Sequence, residues 1–300
     1  MATPRLPPEL ERVIFELAAE HLTDIHRLVL VCWRVKEWVE PLLYRTIVVC
    51  KETVPDIPQT SLRALVSCLE LKDPAFLAHA TRNLLISDAL GDDVLRITSF
   101  FPNLDNLYLE CSAGQLAPLP RLTKLHCPLI ELIRRGPAPL GEDFATHSMF
   151  ANITHLELFD HPFPTRMRPV PPEVHPGWTA LSQLPQLTHL AVMEFEDSQI
   201  YVHILHVCRA RLRILVVSIL HSFNHPTRHP LDALPPLHPG LAEDPRFVVM
   251  SLRHFYEDWQ RGALAAGRAN FWTRADELAE TRRAKPGDRN AFFLDLRGPG

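Results

Sequence analysis

The chain has 300 residues, a formal net charge of −4 and an unusual balance of 28 prolines against 11 glycines. Average usage would give roughly 15 prolines and about 20 glycines. The one Gly-x-Gly, Gly298 to Gly300, lies at the chain end, so the composition argues against a P-loop or a dinucleotide-binding fold, which need clustered glycines. No Lys/Arg block marks a nucleic-acid binder, and no charge-free apolar run approaches the roughly 18 residues of a membrane span.

The first fifty residues read as three short helices. Leu6-Pro7-Pro8-Glu9 opens the first, with Pro8 in a position that suits a first helical turn and Glu9 at the positive end of the dipole. Leu10, Val13, Ile14, Leu17 and Ala18 then recur at helical spacing. Thr23 or Asp24 is a plausible cap for a second helix that buries Ile25, Leu28, Val31, Cys32 and Val35. The third, Lys36 to Tyr44, carries Trp38, Val39, Leu42 and Leu43 and is ended or kinked by Pro41. Three helices in about 40 residues cannot bury all this apolar surface alone, so part of it must meet the rest of the chain or a partner. Adjacent Ile14 and Phe15 cannot both face one internal core.

LPPELERVIFELA, LVLVCWRVKEW and PLLYRTI together resemble an F-box. The matching positions are Leu6, Pro7, Glu9, Leu10, Ile14, Phe15, Leu28, Val31, Cys32, Pro41 and Leu43. Val35 stands where the family usually has Trp or Phe, the tryptophans fall instead at Trp33 and Trp38, and Tyr44 stands where a Trp is common. The closest likeness is to the divergent F-box-like proteins abundant in mushroom-forming fungi. The resemblance implies a surface for the Skp-type subunit of a cullin–RING ubiquitin ligase, carried by Leu6, Pro7, Leu10, Ile14, Phe15, Leu28, Val31, Cys32, Trp33 and Trp38.

Downstream, L-x-x-L-x-L recurs as Leu104/Leu107/Leu109, Leu122/Leu125/Cys127, Ile153/Leu156/Leu158, Leu187/Leu190/Val192 and Leu212/Leu215/Val217. Weaker copies are Thr81/Leu84/Ile86 and Phe247/Met250/Leu252. The last two apolar positions of each clear copy lie two apart, as a strand with one buried face requires. Asp93 to Phe101 and Gln199 to Arg209 supply helices between strands. The expected fold is therefore α/β: an N-terminal three-helix F-box over residues 1–50, an irregular leucine-rich-repeat solenoid over 51–220 and a flexible Pro/His-rich loop over 221–245. A C-terminal capping strand and helix with a loose tail would occupy 246–300. Arg246 to Leu252 is the expected capping strand and Ala269 to Arg283 the helix, and Phe292 and Phe293 could dock. Alternation nominates Asn106, Tyr108, Lys124, His126, His155, Glu157 and His189 as exposed strand positions that read a target protein. Ile214 and Val216 should instead be covered by the C-terminal segment.

The search for chemistry returns little. His221, His225 and His229 have metal-face spacing on a helix, but Pro226 and Pro230 prevent a regular one. His203, His206 and Cys208 read as part of a repeat helix, and Asp92-Asp93 as a helix N-terminus. Cys32 reads as core. Cys32, Cys50, Cys68, Cys111, Cys127 and Cys208 form no C-x-x-C pair, and MATPRLPPEL lacks a secretory h-region. The expectation is a non-catalytic protein of the cytoplasm or nucleus without cofactor or metal. It would be either a ligase adaptor or a stand-alone protein-binding scaffold.

Overall fold

A computed structural model describes residues 6–19, 22–50, 59–87, 89, 91–111, 116–130, 132, 144–160, 176–193, 198–219, 236–252, 255–264, 269–285 and 292–296. Three helices come first: α1 (Pro8–Ala18), α2 (Leu22–Leu28) and α3 (Trp33–Leu43). Pro7 is the N-cap of α1, with Glu9 and Glu11 in its first turn, where the helix dipole favours negative charge. The three helices share a small core of Ala19, Ile25, Val35 and Val39. Two expectations are corrected here. The second helix ends at Leu28, so Val31 and Cys32 lie in the connection to α3 and are exposed. Cys32 is the extended N-cap of α3 rather than a core residue. Pro41 is accommodated near the C-terminus of α3, which continues to Leu43.

Among the described residues nine strands then form one sheet, every neighbouring pair parallel and the strands in sequence order. They are β1 (Thr46–Val49), β2 (Asn83–Ile86), β3 (Asn106–Leu109), β4 (Lys124–Cys127), β5 (His155–Leu158), β6 (His189–Met193), β7 (Ile214–Ile219), β8 (Phe247–Leu252) and β9 (Phe293–Leu296). Parallel neighbours need a crossover each. The helices α4 (Leu62–Leu71), α5 (Pro74–Ala80), α6 (Gly91–Ser99), α7 (Pro176–Leu181), α8 (Gln199–Val207) and α9 (Pro239–Glu243), with short 3-10 turns around Phe144 and Phe150, lie in those crossovers. Their starts are legible locally: Ser61 accepts from the Ala64 amide, Asp73 from the Ala75 amide with Pro74 behind it, and Asp92-Asp93 occupy the first turn of α6.

The leucine frame sets the register. Leu84, Leu107, Leu125, Leu156, Leu190 and Leu215 are aligned partners across six strands, and all are fully buried in the main core with the crossover helices. The preceding position, Leu104, Leu122, Ile153, Leu187 or Leu212, is buried beside them. The threonines that follow form a ladder: Thr123 Oγ1 donates to Asp105 O (3.0 Å), Thr154 to Thr123 O (3.1 Å) and Thr188 to Thr154 O (3.2 Å). Each of these carbonyls also receives two backbone amides of the next strand. These half-buried turn carbonyls thus have both side-chain and backbone partners.

The α/β class is compatible with this sheet and its helices, but the expected organisation is corrected. The described residues show one nine-stranded parallel sheet with helices rather than a separate three-helix F-box followed by a solenoid and a terminal strand–helix cap. β1 falls inside the first fifty residues and already pairs with β2, so the sheet begins within the expected helical unit. Phe247–Leu252 does not end the sheet, because β9 pairs with it from the part of the chain expected to be a loose tail. That pairing carries Phe292 into the main core. The copy Phe247/Met250/Leu252 is also out of frame: Phe247 aligns with Leu215, and Met250 faces the opposite side of the sheet from Phe247 and Val249. His221, His225 and His229 lie outside the described residues; of the expected flexible loop, Pro239–Glu243 forms α9.

Candidate functional site

The strand residues nominated for target binding lie on the sheet face opposite the leucine core. Asn106, Tyr108, His126, Glu157 and His189 are buried, and Lys124 and His155 are half-buried. The expectation that this row is an open surface is therefore corrected. Two C-terminal helices cover it: α10 (Phe255–Leu264) and α11 (Phe271–Ala284). Alternation identified the correct face, but it cannot foresee that a segment as far as 153 residues away in sequence folds back over it.

α10 packs Trp259 and Ala263 against Val48, Leu85 and Tyr108. α11 packs Phe271, Trp272, Ala275 and Ala279 against Ala191, Ile214, Val216, Val248 and Met250, so Ile214 and Val216 are covered by the C-terminal segment as expected. Asn270 and Thr273 form a reciprocal capping box at the start of α11. Buried Arg282 fastens its other end, donating to Phe247 O (2.5 Å) and Ala242 O (2.6 Å).

Between helices and sheet lies a polar layer. His126 Nδ1 and Glu157 Oε2 are 2.5 Å apart, both buried. Trp259 Nε1 donates to Asn106 Oδ1 (3.2 Å), and Asn83 Nδ2 donates to Ala263 O (3.1 Å). The Tyr256 hydroxyl donates to Glu110. The rings of His155 and His189 stack at 4.1 Å and 5°, and Trp272 meets both edge-on. His189 Nε2 reaches Asp276 at 3.1 Å. Burial, with His189 and Lys124 nearby, pushes His155 down to about 2. Burial also lowers His189, against the opposing pull of Asp276. Asp258 is raised to about 6, chiefly by burial, although it accepts the Phe271 amide at 2.8 Å. The Tyr108 hydroxyl is pushed well up by burial and by Glu157 and Glu110.

Within this layer His126 pairs with Glu157 and His189 with Asp276 beneath the C-terminal helices. Among the described residues no group of three or more His, Cys, Asp or Glu is placed to hold a metal ion. Cys127 and Cys208 are buried with thiols raised by desolvation, Cys208 to about 11, whereas a reactive cysteine needs a lowered value. An open groove of about 280 Å³ lies between α8 and α9, lined by Val202, Leu205, His206 and Leu241.

The second candidate surface is the N-terminal helical unit. Eight of the nine exposed large hydrophobic side chains among the described residues lie between Leu6 and Trp33, from 50% exposed at Val13 to 83% at Leu30. Of the ten residues nominated for adaptor binding, Leu6, Pro7, Leu10, Ile14, Val31, Cys32 and Trp33 are exposed. Phe15, Leu28 and Trp38 are half-buried and pack onto the small core instead. Val35, the departure from the F-box pattern, is itself a core residue. Val13, Leu17 and Leu30 belong to the exposed set but were not nominated for this role; Val13 and Leu17 lie on the apolar stripe of α1, and Leu30 lies in the α2–α3 connection. No protein-family model and no curated protein matches this chain. No helix among the described residues is long and apolar enough to cross a membrane.

Proposed function

We propose that this chain is a non-catalytic adaptor whose N-terminal helices dock the Skp-type subunit of a cullin–RING ubiquitin ligase and whose sheet body holds a protein target. The observation that carries the reading is the concentration of exposed apolar side chains on α1 and around the α2–α3 connection. Exposed large apolar side chains concentrated in one region, rather than scattered singly, point to an interaction site. The residues concerned include those of the L-P-x-E-L and L-V-C segments that resemble an F-box. The protein's contribution would be to place a target beside a charged enzyme, a gain in proximity rather than chemistry.

Co-expression with a Skp-type subunit tests the reading. The intact chain should co-purify with it at a one-to-one ratio, and Ile14→Glu with Leu10→Glu should abolish this while circular dichroism and the unfolding midpoint stay unchanged. Absence of co-purification, in parallel with success for a known F-box protein, would leave the stand-alone scaffold as the better reading. If the double variant unfolds the whole chain, α1 is structural rather than a docking surface.

A further inference from the structure

Lys124 carries a charge that the polar row leaves unanswered. It stands on β4, with Asn106 on β3 and His155 on β5 as its aligned neighbours and His189 next along the row. The carboxylates of this layer are committed elsewhere: Glu157 to His126, Asp276 to His189 and Asp258 to the Phe271 amide. Among the described residues the Lys124 ammonium has neither an ion pair nor a hydrogen-bond partner. Lysine is rarely withdrawn from water without a partner, because desolvation penalises an unpaired charge. A lysine that only lays its stem along a surface keeps its head hydrated; here burial pulls the ammonium's pKa down and no carboxylate opposes it. The Trp272 indole N–H, on a ring that meets His155 edge-on at 5.2 Å, also lacks an acceptor. Unlike that indole, the half-buried Lys124 is not sealed from solvent. α10 seats its apolar residues on β1 to β3 and α11 on β6 to β8, so β4 lies between the two covered zones.

We propose that Lys124 is the anchor of an oxyanion-binding point on the sheet, which takes a carboxylate or phosphate group presented by the target protein. The proposal rests on the reading that the sheet body holds a protein target, and it names the chemistry of that contact: an acidic or a phosphorylated side chain. The anion supplies the missing counter-charge and accepts a charge-assisted hydrogen bond from the ammonium. Because folding has already stripped Lys124 of part of its water, the contact is screened less than an exposed surface ion pair.

Inorganic phosphate and acetate are the probes, each added to the full chain at fixed ionic strength. The chain has five lysines, Lys36, Lys51, Lys72, Lys124 and Lys285, so NMR of carbon-labelled lysine resolves each Cε signal, with Lys124 assigned by its loss in Lys124→Arg. An anion bound at the ammonium should raise the Lys124 titration midpoint by about one pH unit and leave the other four nearly unmoved. An effect of acetate alone assigns a carboxylate on the target, of phosphate alone a phosphorylated side chain, and of both a point that accepts either. No movement, or equal movement of all five signals, would overturn the proposal. Lys124→Met separates binding from structure. Removing an unpaired charge should leave the urea midpoint without anion unchanged or raised, and should abolish the part of the phosphate-dependent increase that is specific to the parent. A lowered midpoint without anion would make Lys124 a structural residue and overturn the proposal. Skp co-purification depends on α1 to α3 and is read separately, so loss of the adaptor reading and loss of this contact are distinguishable.

Discussion

Replacing His155 by Phe should remove much of the acid sensitivity of this protein. The imidazole is held neutral under α11, with a value near 2 against about 6.5 in an unfolded chain. A histidine lowered in this way contributes no penalty above about pH 6.5. As pH falls below that value the unfolded chain takes up a proton that the folded chain refuses, so stability is lost progressively toward pH 2. Integrated from about pH 7.5 to about pH 5, the loss is about 2 kcal/mol for this one group. Phe keeps the stack on His189 and the edge contact with Trp272. It forfeits the 2.8 Å contact of Nδ1 with the Thr154 hydroxyl, which retains its bond to Thr123 O. Urea unfolding of both proteins at both pH values gives a double difference in which other titrating groups largely cancel, including Asp258, whose raised value acts in the opposite direction. The variant should lose about 2 kcal/mol less than the parent on acidification. Equal losses would mean that His155 is accessible to protons in the folded state and that the polar layer is not sealed as described.

Further outcomes follow from burial and bonding. Leu156→Ala, at a fully buried position on the central strand, should cost about 2–5 kcal/mol in urea unfolding; a cost under about 1 kcal/mol would place it off the core. Arg282→Met should destabilise by about 2–3 kcal/mol, because two carbonyls at the α9–β8 end lose a charged donor; calorimetry reads this as a lowered Tm. Asn270→Ala removes the cap of α11 and should cost about 1 kcal/mol. A native thiol titration should find Cys32 reactive at once, with Cys111, Cys127 and Cys208 reacting only after denaturation. Fast reaction of Cys127 would contradict its place in the core.

The sequence by itself determined the strand frame. Leu104, Leu122, Ile153, Leu187 and Leu212 start copies that the structure places in one register, because a buried strand face imposes spacing two and the turn before it imposes the earlier leucine. First-turn proline and acidic residues likewise located α1 and α6, and apolar spacing located α8 and α11, each to within a few residues. Other features were decided only by tertiary structure. β1 and β9 lack the six-residue pattern and exist because neighbouring strands offer unpaired edges. Val31 and Cys32, apolar and expected in a core, are exposed because α2 stops at Leu28 and the small core is already filled by Ala19, Ile25, Val35 and Val39. The polar row on the sheet had the composition of a solvated surface and is instead an interior layer. What buries it is a contact between Asn106 and Trp259, 153 residues apart, and pattern within a strand carries no information about a partner at that distance. The 28 prolines and 11 glycines excluded phosphate-cradling loops from the start. The chain's own C-terminus, folded across the sheet, decided which of the remaining surfaces is open.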